Sequence, residues 1–236
     1  MAIADGWLLA LDTATATIVV AAGAADGTLL DEEAFEGRYR HSQELLPAVL
    51  RLMERAGLRL PDLRGIVVGT GPGAFTGLRV GLATAKTLAH ELSRPIVGLP
   101  TGEALLAAAG ARELWLPSGP RDLVVVRRGA APRVVRERGD ATGEGDAGAG
   151  DMAGVVPDSE NTIAVDLAGR APTGALERGR TAVEALGASL LRLGAERLGR
   201  GDADDPERLV PSYARPPRGA IGDDAEMDVA WSRDPR

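Results

Sequence analysis

The sequence predicts an α/β protein, and three observations carry that prediction. Short apolar runs, such as residues 7–11, 18–22 and 66–68, have the composition of buried strands. Between them lie stretches with apolar residues at i, i+4 and i+8, the spacing of helices that bury one face. A Gly71-Pro72-Gly73 turn then leads from a strand directly into a helix. Read in order, residues 1–110 give three strands followed by alternating helices and strands, βββαβαβα.

Residues 7–11 make the first strand, Asp12-Thr13-Ala14-Thr15 turns the chain, and residues 18–22 return as the second. Asp26-Gly27 is a hairpin signal, because glycine supplies the positive φ that short loops need. Residues 28–35 form a third strand, polar enough for a sheet edge. A helix over 42–55 sets Leu45, Leu46, Val49, Leu50 and Met53 on one side, with Pro47 near its start and Gly57 at its end. The strand at 66–70, a strand at 96–99 and a helix at 101–109 complete the first lobe, residues 1–110.

A second, more divergent lobe spans 111–217. Residues 123–126 and 134–135 flank Arg127-Arg128-Gly129 as a hairpin, 163–167 is a short strand, and 181–198 is a helix carrying Val183, Leu186, Leu190 and Leu193. Residues 139–154, rich in Gly, Asp and Ala, read as a flexible loop, and 218–236 as a polar tail. The similar strand–helix composition of the lobes suits an old duplication.

The helix after the central turn has an unusual face. Thr76 is its expected N-cap, and Gly77, Gly81, Ala85 and Ala89 recur every four residues. A glycine inside a helix costs about 1 kcal/mol relative to alanine, so two of them imply close approach by something, with another helix the expected neighbour. Arg79, a cation in the first turn, opposes the helix dipole and calls for a carboxylate, a phosphate or a partner chain. The turn matches neither G-x-x-x-x-G-K-[ST] nor G-x-G-x-x-G, so a structural or contact turn is expected ahead of a phosphate cradle.

Composition narrows the function. The 236 residues are 44% hydrophobic but only 3% aromatic, so the core is built from Ala, Val and Leu and lacks stacking platforms for single-stranded nucleic acid. A net charge of −7 disfavours direct holding of RNA or DNA. The absence of cysteine excludes disulfides and thiolate metal sites, and two histidines, His41 and His90, exclude a His-rich one. No apolar run reaches membrane-spanning length and no leader is apparent, so a soluble, cytoplasmic protein without membrane association is expected.

Candidate chemistry is sparse. Asp12, followed by Thr13, ends a strand where a kinase places a magnesium-ordering carboxylate, but Asp12-Thr13-Ala14-Thr15 has no glycine to admit phosphate. A turn-stabilising role for Asp12 is the simpler reading. His41 opens a helix without a second histidine at helical spacing, and neither histidine accompanies a nucleophile motif.

Four blocks carry a family resemblance: Leu9-Ala10-Leu11-Asp12-Thr13, Arg40-His41-Ser42-Gln43-Glu44-Leu45-Leu46-Pro47, Gly71 to Gly81, and Pro211-Ser212-Tyr213-Ala214-Arg215-Pro216-Pro217. Together they resemble the TsaB (YeaZ) family of tRNA threonylcarbamoyladenosine biosynthesis, densely over 7–105 and again near 205–217. The resemblance implies an actin-like ATPase fold of two RNase H-like lobes, with mixed sheets flanked by helices. It implies a non-catalytic subunit that supports a TsaD-like paralogue in forming N6-threonylcarbamoyladenosine at tRNA position 37, with a TsaE-like ATPase joining. ATP and threonylcarbamoyl-AMP are then used by the complex, and neither is bound by this subunit alone; tRNA is met through the complex. TsaD-like proteins carry H-x-x-x-H for metal, whereas here His41 is followed by Leu45, so no catalytic or metal residue is assigned. The expected partner surface comprises His41, Leu45, Leu46, Val49, Phe75, Gly77, Arg79, Gly81 and Ala85, facing the paralogue or, in the isolated protein, a second copy. The alternative is an independently active kinase or ATPase of the same fold, with Asp12 and Thr13 at its nucleotide.

Overall fold

Alternation along the first strand decides the architecture. In β1 (Trp7–Asp12), Trp7, Leu9 and Leu11 join one core cluster while Leu8 and Ala10 join another, and all five are buried. A strand apolar on both faces must be covered on both, and β1 accordingly lies mid-sheet. The computed structural model describes residues 6–37, 41–118, 122–136 and 155–214. The segments 139–154 and 218–236 read from the sequence as loop and tail lie outside the described residues, as do Arg215, Pro216 and Pro217.

β2 (Thr17–Ala24) runs antiparallel to β1, and β3 (Leu29–Glu36) antiparallel to β2. Gly27 takes φ +89° in the intervening turn, and the Asp26 carboxylate accepts from Thr28 N at 2.9 Å. As the edge strand, β3 is largely exposed, and its carboxylates grip α1 (His41–Ala56): Arg55 Nε lies 3.0 Å from Asp31 Oδ2 and Arg55 Nη1 2.6 Å from Glu33 Oε2. Pro47 sits in the second turn of α1 rather than at its start, so the helix does without the bond that residue 47 would donate to Gln43.

β4 (Leu63–Gly69) pairs parallel with β1, and β5 (Ile96–Leu99) parallel with β4, giving the order β3-β2-β1-β4-β5. Parallel neighbours need a crossover, which α2 (Phe75–Glu91) provides. α1 and α2 cover one face of the sheet through Leu45, Leu52, Leu82 and Ala85. α3 (Thr101–Ala109) follows β5 and ends at Gly110, φ +63°.

The second sheet, in the order β8-β7-β6-β9, contains β6 (Glu113–Pro117), β7 (Asp122–Arg127), β8 (Arg133–Arg136) and β9 (Thr162–Ala164). Its directions repeat those of β1 to β4: two successive antiparallel pairings, then a parallel one beside the first strand. Each sheet thus has the order expected of an RNase H-like unit. β6 was not expected, because a run of only three apolar residues, Leu114 to Leu116, sits between Glu113 and Pro117. β9 stops at Ala164, short of the expected 167, because Asp166 turns the chain at φ +57°.

The single helix expected over 181–198 is two helices. α4 (Thr173–Glu184) and α5 (Leu186–Gly199) meet at Ala185, whose φ of −102° and ψ of 6° break the run. α4 escapes a propensity reading because Gly174 and Gly179 weaken it. Gly179 is needed there, since a Cβ would overlap the Ala164 carbonyl of β9. α5 and residues 202–214, grouped by the sequence with the second lobe, pack on the first sheet. A Cβ at Gly194 of α5 would overlap the Val67 side chain, and Asp204 bridges to Ile96 and accepts from Gly98 N at 2.7 Å. One core cluster therefore runs from Leu8, Ala10 and Val67 through Leu105 and Leu190 to Leu114 and Val126.

Gly194→Ala tests this close seating of α5. It is expected to cost about 1–3 kcal/mol by overpacking against Val67, read as a lower urea midpoint at unchanged m.

Candidate functional site

At the C-terminal end of β1, Asp12 is fully buried. Its Oδ2 accepts from Thr101 Oγ1 at 2.6 Å, and its Oδ1 accepts from Ala14 N at 2.9 Å. The Thr101 hydroxyl in turn accepts from Gly71 N at 3.1 Å, so β1, the central turn and the start of α3 share one knot. Gly69 is open at Cβ because Asp12 Oδ2 occupies that space. Desolvation of the carboxylate outweighs these two hydrogen bonds and raises Asp12 from 3.8 to about 6.

The central turn closes over this knot. Gly71, at φ +104°, precedes a cis bond to Pro72, and a Cβ at Gly73 would run into the Ala14 backbone. Ala74 N donates to Ala14 O at 2.7 Å, and Ser212 N, from the returning C-terminal segment, donates to Thr70 O at 2.7 Å. From the second lobe, Asp166 Oδ2 accepts from Ala16 N at 2.7 Å, tying the turn after β9 to the turn after β1. A nucleotide phosphate with magnesium does not fit residues 12–15: the carboxylate it needs has no open face, and Gly73 and Ala74 occupy the approach to Ala14. Thr101, Gly69 and Asp166 were not singled out from the sequence, since their partners lie between 57 and 150 positions away.

Thr13 explains the glycine stripe of α2. Its Oγ1 donates to Gly77 O at 2.7 Å, and a Cβ at Gly81 would overlap that hydroxyl. Gly77, Gly81, Ala85 and Ala89 are all buried within the chain. The close neighbour is therefore the turn after β1 and not a helix, which corrects both the expected neighbour and the placing of Gly77, Gly81 and Ala85 on a partner surface. Leu45 and Val49 likewise face the sheet, at 1% and 4% exposure. Position 45 is thus in the core, and among the described residues no group of three or more His, Asp and Glu could hold a metal. The side chain of His41 lies outside the described residues.

Of the expected surface, Leu46, Phe75 and Arg79 are exposed. Leu50, which the sequence sets on the same side of the helix as Leu45 and Val49, is 61% exposed and stands one turn beyond Leu46 on α1. On α2, Phe75, Arg79, Ala83 and Thr87 form an exposed ridge at i, i+4, i+8 and i+12. Thr76 is the second residue of α2 and does not cap it; Ala74 holds the N-cap position, with no side-chain bond. Arg79 is the fifth residue of α2, past its first turn, and among the described residues its guanidinium meets the Phe75 ring and the Tyr213 hydroxyl. Among the described residues no helix is long and apolar enough to cross a membrane.

Comparison with known proteins agrees with this geometry. The profile of a family described as TsaD, tRNA N6-adenosine threonylcarbamoyltransferase, matches residues 36–161, more than half of the chain. An uncharacterized protein of Mycobacterium leprae is 40% identical over 102 residues, 42% of this chain and 28% of that protein. The tRNA threonylcarbamoyladenosine biosynthesis protein TsaB of Bacillus subtilis is 38% identical over 100 residues, 42% of this chain and 43% of its own. The matched stretch thus spans less than half the length of these relatives. A crystal structure from Pseudomonas aeruginosa, described as an uncharacterized protein with similarity to peptidase YeaZ, superposes with a TM-score of 0.63 at 26% identity. That match covers 89% of this chain and 100% of the other, and the shared fold is the actin-like, RNase H-like one.

Two stability measurements probe the knot. Because Asp12 binds its proton more tightly folded than unfolded, its contribution is full below pH 3.8 and is lost as pH rises through about 6. Asp12→Asn lacks this titration, so its stability relative to the native protein is expected to rise by about 2–3 kcal/mol between pH 4 and pH 7, read by urea melts across that range. Gly81→Ala is expected to destabilise by about 1–3 kcal/mol, and Thr13→Ala, which removes the obstructing hydroxyl, to recover at least about 1 kcal/mol of that in the double variant.

Proposed function

The chain belongs to the TsaB/YeaZ family, and on that premise we propose that it is a non-catalytic subunit of tRNA threonylcarbamoyladenosine formation, acting by binding a TsaD-like paralogue. The observation that carries this reading is the closure of Asp12. The one carboxylate placed as a kinase would place it is fully buried and bonded to Thr101 and Ala14, and its approach is taken by the protein's own turn. The same knot disfavours an independent kinase or ATPase.

What this first lobe does offer is an outer face. Leu46 at 47% and Leu50 at 61% exposure project from α1, and Phe75, Arg79, Ala83 and Thr87 are exposed along α2, which shares a core cluster with α1. Neighbouring exposed leucines are the kind of anchor that a protein interface buries. In this reading the paralogue docks on that face, a second copy occupies it in the isolated protein, and a TsaE-like ATPase joins the pair. The complex, not this subunit, uses ATP and threonylcarbamoyl-AMP and meets the tRNA.

Light scattering after size exclusion tests the proposal on this protein alone and mixed with the TsaD-like paralogue of its organism. A 1:1 complex is expected, and Leu50→Glu, an exposed substitution, is expected to weaken it by at least about tenfold while leaving the melting curve unchanged. No complex, with Mg·ATP bound by the isolated protein and lost in Asp12→Ala, would return the reading to an independent enzyme.

A further inference from the structure

Arg79 is held at the protein surface by the Phe75 ring and the Tyr213 hydroxyl, and has no carboxylate partner among the described residues. It lies one turn beyond Phe75 on α2, and its guanidinium carbon stands 3.8 Å from the Phe75 ring centroid. Tyr213 places its ring 5.0 Å from that of Phe75, and its hydroxyl accepts from Arg79 Nε at 3.0 Å. One face of the guanidinium and Nε are thereby used. The two terminal nitrogens have no partner among the described residues.

This arrangement is costly where it stands. An arginine side chain carries about 2 kcal/mol of rotamer entropy, and here it is held between the Phe75 ring and the Tyr213 hydroxyl at an exposed position. The nearby cations differ: Arg51 and Arg55 on α1 are paired with Glu33 and Asp31, and Lys86 on α2 donates to Leu209 O at 3.2 Å. Arg79, by contrast, keeps its two terminal nitrogens without a partner among the described residues, on the Phe75–Arg79–Ala83–Thr87 ridge.

Resting on the partner reading above, we infer that Arg79 is a preset anchor for a carboxylate side chain of the protein that docks on this ridge, with Tyr213 as its positioning residue. A guanidinium already fixed by its stack loses little further entropy on meeting a carboxylate through two parallel bonds. An acidic protein side chain fits better than an RNA backbone, because the chain carries a net charge of −7 and the other exposed residues C-terminal to Arg79 on the ridge, Ala83 and Thr87, are neutral. The C-terminal segment thereby gains a task at the interface: Ser212 is bonded to the central turn, which brings Tyr213 under the arginine.

Calorimetric titration of the TsaD-like paralogue with the full chain and three variants tests this, at low and high salt. Arg79→Ala is expected to weaken binding by about 30–100-fold, and Arg79→Lys by about tenfold because a point charge cannot fork. Tyr213→Phe keeps the ring and removes only the hydroxyl anchor, so a loss of about three- to tenfold is expected. The salt dependence of the native protein should shrink in Arg79→Ala, with unchanged circular dichroism and melting in all three. Binding by the native chain with all variants equal to it overturns the inference and leaves the partner reading standing. No binding by the native chain overturns both. Loss confined to self-association, or to tRNA affinity, also overturns it by assigning the ridge to another occupant.

Discussion

One buried hydrogen bond, from Thr101 Oγ1 to Asp12 Oδ2 at 2.6 Å, holds the centre of this molecule together. It joins the end of β1 to the first residue of α3 across 89 positions of chain, and Gly71 N donates into the same hydroxyl. Gly69 admits the carboxylate, Gly73 admits Ala14, and Gly81 admits Thr13. Three glycines on one strand–turn–helix unit are thus spent on a single packed junction. A carboxylate buried this deeply lies above its ordinary range, which shows that desolvation prevails over the two bonds it accepts. The junction is a structural fastening, and it is built on Asp12 and Thr13, the two residues that the kinase alternative sets at a nucleotide.

Close packing by glycine also explains how a core with so few aromatic residues coheres. Gly179 lets α4 approach the backbone of β9, and Gly194 lets α5 approach Val67. Helices seated this near the sheets replace bulk by backbone contact, each gap closed where a larger side chain would otherwise fill it. α5 and the segment after it carry the second half of the chain back onto the first sheet, so the two sheets share one core cluster.

Local signals reported the first lobe well. The hairpin at Asp26-Gly27, the helix over 101–109 and the strand–turn–helix around Gly71 follow from alternation, turn chemistry and helical spacing, all short-range properties. The α2 glycine stripe was legible as a close approach, but its neighbour was not, because Thr13 contacts it across 64 positions. Leu50 and Leu45 look alike in a helical pattern, yet one is exposed and the other in the core; a wide apolar stripe on α1 does not say where its buried part ends. In the second lobe, β6 and α4 escaped because three apolar residues, or a helix with two glycines, resemble loop until sheet and helix are brought together. Tyr213 was part of the family resemblance, while its contact with Arg79 spans 134 positions and has no local signature.

The central claim is that this chain works through the outer face of α1 and α2 and not through the end of β1. Hydrogen–deuterium exchange, comparing the protein alone, with Mg·ATP and with the TsaD-like paralogue, tests it most directly. The account predicts that the paralogue slows exchange over the exposed segments around Leu46–Leu50 and Phe75–Ala83, while Mg·ATP leaves residues 12–15 and 69–74 unchanged. Protection of those two turns by Mg·ATP, with no protection of α1 and α2 by the paralogue, would contradict it.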